Sequence, residues 1–262
     1  MTPFPWDVFV SALLVVLVFV TVIWLLSLLV RNAGIIDIFW GLGFVLAAGW
    51  YLSATDGFDP RRILLVSLVT IWGFRLAGYI LLRSWGKSED PRYRAWREEG
   101  GQAWWWRSYF KVFMLQGIIL WIVSLPLLAA LAAKEPAYFT WTDGLGALLW
   151  GIGFLFETVG DWQMYRFKKD PANKGKVLDS GLWAYTRHPN YFGEALLWWG
   201  YGFIAMASGA YWVLISPALM TLLLLRVSGV TMLEKLLRTD KPEYEGYIRT
   251  TSAFIPWFRK RG

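Results

Sequence analysis

Residues 8–30 read VFVSALLVVLVFVTVIWLLSLLV, 23 residues with no charge, no proline and no glycine. At 1.5 Å per residue a helix of this length covers about 35 Å, enough for a hydrocarbon core of roughly 30 Å. A segment crossing such a core must satisfy its own backbone N–H and C=O groups, so the stretch predicts a helix. It is too long for the apolar region of a cleaved leader, has no basic residue before it and ends at Arg31. It is therefore expected to be a retained span.

Comparable apolar blocks follow at 34–54, 62–83, 109–133, 143–163, 190–207 and 210–226, the last two joined through Ser208 and Gly209. The whole 262-residue chain is 56% hydrophobic and 18% aromatic, above the roughly 45–50% apolar content of soluble domains. The predicted fold is all-α: a polytopic membrane protein of about seven helices, forming one integral membrane domain over 1–262. Residues 88–107 (SEDPRYRAWREEGGQAWWWR) mix Arg with Trp and predict an interfacial amphipathic helix anchored at headgroup depth. The tail 231–258 reads as one or two short helices ending at Pro256. With no Cys and one His, disulfides, thiol catalysis and a conventional zinc centre are excluded.

The formal charge of +7 raises the question of nucleic acid, and the placement of the charges answers it. Of 26 Lys and Arg, 22 fall in alternate connections and the tail: Arg31, the run from Arg83 to Lys111, the run from Arg166 to Arg187, and Arg226 onward. This is the positive-inside pattern of membrane topology. It predicts an outer N-terminus, a cytoplasmic C-terminus, membrane lipids as partners and no nucleic acid; in a bacterium the location would be the inner membrane.

Ionisable groups inside hydrocarbon are costly unless paired or hydrated, so each one within a span is a candidate site. The third block carries Trp72, Arg75, Tyr79 and Arg83 at spacings that share a helix face. The fifth carries Gly153, Glu157, Gly160 and Asp161; the sixth carries Asn190, Glu194, Trp198 and Tyr201; Asp37 opens the second. Arg75 lies about 12 Å above Arg83 and Glu194 about 6 Å above Asn190, so all belong to the cytoplasmic half. Ion pairs that merely lock helices together are the alternative for any one of these residues, although packing alone is better served by small side chains.

The loop RFKKDPANKGKVLDSGLWAYTRHPN leads into the sixth helix, which is predicted to begin at Asn190 as its cap, after Pro189. A helix N-terminus suits a phosphate, and Lys168, Lys169, Lys174, Lys176 and Arg187 surround this one; contact with anionic lipid is the alternative. His188 lies between Arg187 and Pro189, where protonation is disfavoured, and is assigned a hydrogen bond to a cofactor rather than general-base work.

Three segments carry a resemblance: WGFRLAGYILLR (72–83) with DPRY (90–93), GLWAYTRHPNYFGEALLWWGY (181–201), and MLEKLLRTDKPEYEGYIRTTSAFIPWF (232–258). Together they resemble the steroid 5α-reductase-like family, also called the DUF1295 family, over about 34–258. RHPNYFGE by itself is shared with sterol reductases and isoprenylcysteine carboxyl methyltransferases. The resemblance implies a seven-helix membrane reductase that binds NADPH on its cytoplasmic side and reduces the carbon–carbon double bond of a lipophilic enone, such as a 3-oxo-Δ4-steroid or an isoprenoid. Arg75, Tyr79, Asp161, Asn190, Glu194 and Arg226 match family positions, and Trp183 and Tyr185 lie in its signature. With the residues read from the basic loop and the third block, the expected nucleotide contacts are Arg75, Arg83, Asp161, Lys168, Lys176, Trp183, Tyr185, Arg187, His188, Asn190 and Arg226. The animal steroid reductases carry a Gln-Glu pair and a Tyr near the substrate carbonyl; here the early acid is Asp37, and Trp72 stands three residues before Arg75.

Reduction of an enone sends charge to the carbonyl oxygen, which a buried acid or phenol must stabilise and protonate. The catalytic assignment is Asp37 with Tyr79, or with Tyr201 as the phenol, and Glu194 orienting the nicotinamide amide. Two alternatives stand beside it: an S-adenosylmethionine-dependent lipid or isoprenylcysteine methyltransferase, and a non-enzymatic lipid-binding membrane protein.

Overall fold

The computed structural model describes residues 4–227, 230, 234 and 243–259. Among them there is no β-strand, only an isolated parallel bridge between Thr186 and Ser252. Four helical stretches are long and apolar enough to cross a membrane: Trp6–Val30, Ile35–Ala54, Asp59–Ser84 and Pro91–Ala132. Two compact units divide the chain, one of Met1–Thr140 with Ala205–Val213, the other of Trp141–Ile204 with Leu214–Gly262.

In the first unit α1 (Trp6–Val30), α2 (Ile35–Ala54) and α3 (Asp59–Ser84) follow the first three apolar blocks to within three residues. A helical run then comprises α4 (Pro91–Gly100), α5 (Trp104–Ser108), a π-helical turn (Tyr109–Met114), α6 (Leu115–Val123) and α7 (Leu125–Ala132). The break at Ser124 follows from Pro126, which has no N–H to donate within the helix. Helices α2 and α3 touch backbone to backbone, since a Cβ at Gly41 would stand 2.8 Å from the Gly73 carbonyl oxygen. Along α1, Trp121 Nε1 donates to the Phe9 carbonyl (2.7 Å), Thr21 Oγ1 meets Tyr109 Oη (3.1 Å), and Trp24 Nε1 donates to the Trp105 carbonyl (3.0 Å). These pairs fix an antiparallel register.

Arg61 and Arg62 explain themselves structurally. Arg61 is fully buried and donates to the Tyr138 carbonyl at 3.0 Å. Arg62 donates to the carbonyls of Leu52 (2.7 Å) and Thr55 (2.8 Å), satisfying acceptors left open where α2 ends. Two of the few cations outside the basic connections are therefore held by backbone.

The second unit is built on α8 (Trp141–Lys169) and α9 (Pro189–Met206, whose last two residues belong to the first unit). Gly146, Gly153 and Gly160 recur every seven residues, one helix face of α8. Opposite them lie Gly200, Gly193 and the start of α9: a Cβ at Gly153 would stand 2.5 Å from the Gly193 carbonyl oxygen, and one at Gly146 2.6 Å from that of Gly200. Small residues at such a contact let helix backbones approach without a hydrophobic driving force. After α9 come α10 (Ile215–Leu222), a π-helical turn (Leu223–Val227) and, in the tail, α11 (Tyr244–Thr250). The tail helix, expected to end at Pro256, stops at Thr250, and 251–259 form no helix; most of 228–242 lies outside the described residues.

Candidate functional site

The first unit assembles a polar cluster around Asp37, in the first turn of α2. The sequence Asp-Pro-Arg-Tyr starts α4 locally: Asp90 caps it by accepting the Arg92 N–H at 2.9 Å, and Pro91 takes the first helical position. That geometry puts Tyr93 in the first turn. Its ring is buried beside Gly34, where a Cβ would come within 3.3 Å. Tyr93 Oη donates to Asp37 Oδ1 at 2.7 Å and accepts from Gln116 Nε2 at 3.3 Å. Arg92 reaches Asp37 at 3.5 Å and Asp90 at 2.9 Å. Beside this cluster Glu89 accepts from the Ala33 N–H (2.7 Å) and twice from Arg97 (2.8 and 2.9 Å). Burial pushes the Glu89 and Asp90 carboxyls up, but the hydrogen bonds and charges of Arg97 and Arg92 outweigh it and hold both below the usual carboxylate range.

The phenol hydrogen-bonded to Asp37 is therefore Tyr93, not one of the two named from sequence. Tyr79 lies under the exposed Arg83, 5.6 Å from guanidinium carbon to ring centre. Tyr201, in the second unit, accepts from Trp150 Nε1 at 2.9 Å. Arg75 is half-buried on α3.

In the second unit the cap of α9 lies two residues before the expected Asn190. The His188 carbonyl accepts the first helical bond, from Phe192 N–H at 3.0 Å, so His188 is the cap and Pro189 the first helical residue. Proline's fixed φ and missing N–H suit that position. Asn190 is released from capping: its Nδ2 donates to Asp161 Oδ1 at 3.1 Å, while its Oδ1 is buried without a hydrogen-bond partner among the described residues. The helix end is seated against α8, since a Cβ at Gly160 would stand 3.3 Å from the Asn190 nitrogen. Glu157 and Asp161 are buried and Glu194 half-buried.

The segment before α9 is bound to the tail. Arg187, expected at a phosphate, is buried and committed: Nε donates to Glu234 (2.7 Å), and Nη1 to the carbonyls of Ile248 (3.1 Å) and Thr251 (2.5 Å). His188 is 1% exposed, with Nε2 3.3 Å from Glu234 and Nδ1 unpartnered among the described residues. Burial pushes the Glu234 carboxyl up, but His188 and Arg187 pull it down to about 2. Trp183 Nε1 donates to the Gly160 carbonyl at 3.1 Å, and the Trp183 carbonyl accepts from Tyr247 Oη at 2.5 Å. Both of these expected nucleotide contacts, Arg187 and Trp183, thus hold backbone or tail in place. Tyr185, Lys168, Lys176 and Arg226 are exposed.

Sequence reading did not assign Tyr93, Gln116 or Glu234. For Tyr93 the signal was present in the helix-start sequence Asp-Pro-Arg-Tyr; for Gln116 and Glu234 nothing local distinguishes them from other polar residues.

The chain matches the family described as "Protein of unknown function (DUF1295)" over residues 23–251. It belongs to the DUF1295 family. The steroid 5α-reductase-like character of its motifs is consistent with that membership. One relative is the uncharacterized protein C594.04c of Schizosaccharomyces pombe, 26% identical over 277 residues that span 95% of this chain and 79% of the relative. A shorter likeness, 41% identity over 64 residues (24% of this chain and 22% of the relative), is to the probable O-methyltransferase ustE of Ustilaginoidea virens. No solved structure matches.

Proposed function

We propose that this DUF1295 protein is a membrane-embedded, NADPH-dependent reductase of the carbon–carbon double bond of a lipophilic enone. In this reading it has seven spans, an outer N-terminus and its cofactor site on the cytoplasmic side. The observation that carries the reading is the acid–phenol pair: Tyr93 Oη on Asp37 Oδ1 at 2.7 Å, at the end of an apolar helix. When an enone is reduced at its β-carbon, the carbonyl oxygen gains charge and needs a proton. For Tyr93 to donate one, its O–H turns from Asp37 to the carbonyl oxygen and the protonated Asp37 carboxyl returns a proton to the phenolate, so the acid is the net source and the phenol the relay. Gln116 steadies the phenol oxygen from the other side.

The second unit offers groups that fit a dinucleotide. The buried Asn190 Oδ1 lacks a donor among the described residues and suits an amide N–H. Lys168 and Lys176 are exposed cations of the kind that suit phosphates. The nucleotide would supply the hydride; the chain binds, orients and excludes water.

A second reading, an S-adenosylmethionine-dependent methyltransferase, is favoured by the 64-residue likeness to a probable O-methyltransferase. Thermal melting of the purified full chain in detergent separates the two. Under the reductase reading NADPH raises the melting temperature and S-adenosylmethionine leaves it unchanged. Protection by S-adenosylmethionine alone would overturn the reductase in favour of the methyltransferase, and protection by neither would overturn both.

A further inference from the structure

The π-helical turn Tyr109–Met114 lies against α1 and opens a groove of about 210 Å³ lined by Thr21, Trp24, Trp106, Tyr109 and Phe110. π-Helical turns are rare and recur at functional sites. The polar atoms in this wall are turned on each other: Thr21 Oγ1 meets Tyr109 Oη at 3.1 Å, and Trp24 Nε1 donates to the Trp105 carbonyl and, at 3.2 Å, to Ser108 Oγ. What remains for an occupant is an apolar trough.

Its rim is cationic. The Arg107 guanidinium carbon stands 5.5 Å from the centre of the Trp106 ring that forms one wall. Arg107 is exposed; Lys111, four residues on, is also exposed but pairs with Glu99 at 3.5 Å. From Trp104 to Leu115 the chain carries these two cations and no acid. Trp105, Trp106 and Phe110 are exposed as well, the composition of a segment at the membrane–water boundary. Trp24 lies about 9 Å from the Val30 end of α1, so the groove sits within the span but close to its basic end.

We infer that this groove is a binding site for one anionic phospholipid, an acyl chain lying between α1 and the π-helical turn and the headgroup phosphate meeting Arg107. The helices bordering the groove are apolar enough to cross a membrane, which makes a lipid the occupant. Arg107 has no ion-pair partner among the described residues, and its charge selects an acidic headgroup over a zwitterionic one. The site is independent of the proposed reductase chemistry.

The test is native mass spectrometry of the full chain, delipidated in detergent and offered equal amounts of phosphatidylglycerol and phosphatidylcholine. One phosphatidylglycerol is expected to be retained in preference. A cation near an acidic headgroup is worth about fivefold in binding, so Arg107→Gln should lower retention by about that factor. Trp106→Ala, at an exposed position, should lower retention of both lipids by removing a wall. Lys134→Gln, an exposed cation in the loop between α7 and α8, should change nothing. Equal retention of the two lipids by the parent chain would overturn the inference. So would loss of preference in Lys134→Gln as large as in Arg107→Gln, or retention untouched by both groove variants.

Discussion

Two glycines in one turn of α8 are expected to respond to alanine with opposite signs. At Gly153 a Cβ would stand 2.5 Å from the Gly193 carbonyl oxygen and 2.6 Å from the Leu197 nitrogen, both backbone atoms of α9. No rotamer change relieves a backbone contact, so the helices must separate. Overpacking of this kind costs about 1–3 kcal/mol, which the gain in helix propensity, about 0.5–1 kcal/mol, does not offset. At Gly151 a Cβ would meet nothing within 4 Å, and only the propensity gain remains. In a thermal melt of the detergent-solubilised chain, Gly153→Ala should lower the melting temperature by several degrees, while Gly151→Ala holds or raises it. The displaced helix would also stretch the Asn190–Asp161 hydrogen bond near its end, now 3.1 Å. Equal tolerance of the two substitutions would refute the close-packed α8–α9 contact, and with it the account of what sets the Asn190 position.

Three further outcomes follow from particular contacts. Under the reductase reading, Tyr93→Phe and Asp37→Asn should each reduce NADPH-dependent enone turnover by about 10²–10⁴-fold, the range of general acid–base catalysis; full turnover in Tyr93→Phe would remove Tyr93 as the proton donor. Glu234, held at about 2 against an ordinary 4.5, contributes stability that is complete above pH 4.5 and lost as pH falls toward 2. Melting temperature should therefore fall more steeply through that window in the parent chain than in Glu234→Gln, which lacks the titrating group. Arg61→Met leaves the carbonyls of Pro136 and Tyr138 without their buried donor and should cost about 1–3 kcal/mol, read as a lower melting temperature than that of the exposed control Lys134→Gln.

How much of this was legible depends on the range of the physics involved. Apolar length is a local property, and α1 to α3 fall where the hydropathy places them. The kinks are local too, but they answer to neighbours: the π-helical turn at Tyr109–Met114 has no proline or glycine to announce it, and its side chains meet α1 through Thr21 and Trp24. The stripe Gly153, Glu157, Gly160, Asp161 was readable as one face. That its glycines serve backbone contact, while Asp161 meets Asn190, required the partner helix.

The site residues divide along the same line. Arg187 in its RHP setting reads as a free cation because the sequence displays its charge and conceals Glu234, 47 positions later. Asp37 was chosen for its position, but its phenol was sought within the spans, at Tyr79 or Tyr201. The connection to α4 supplies Tyr93 instead, because Asp90 and Pro91 start a helix that turns the following tyrosine back onto α2. A helix-start motif beside a span can thus deliver polar chemistry to the span's end without placing a charge in hydrocarbon. That explains why a chain with few intramembrane acids still builds a hydrogen-bonded acid–phenol pair there.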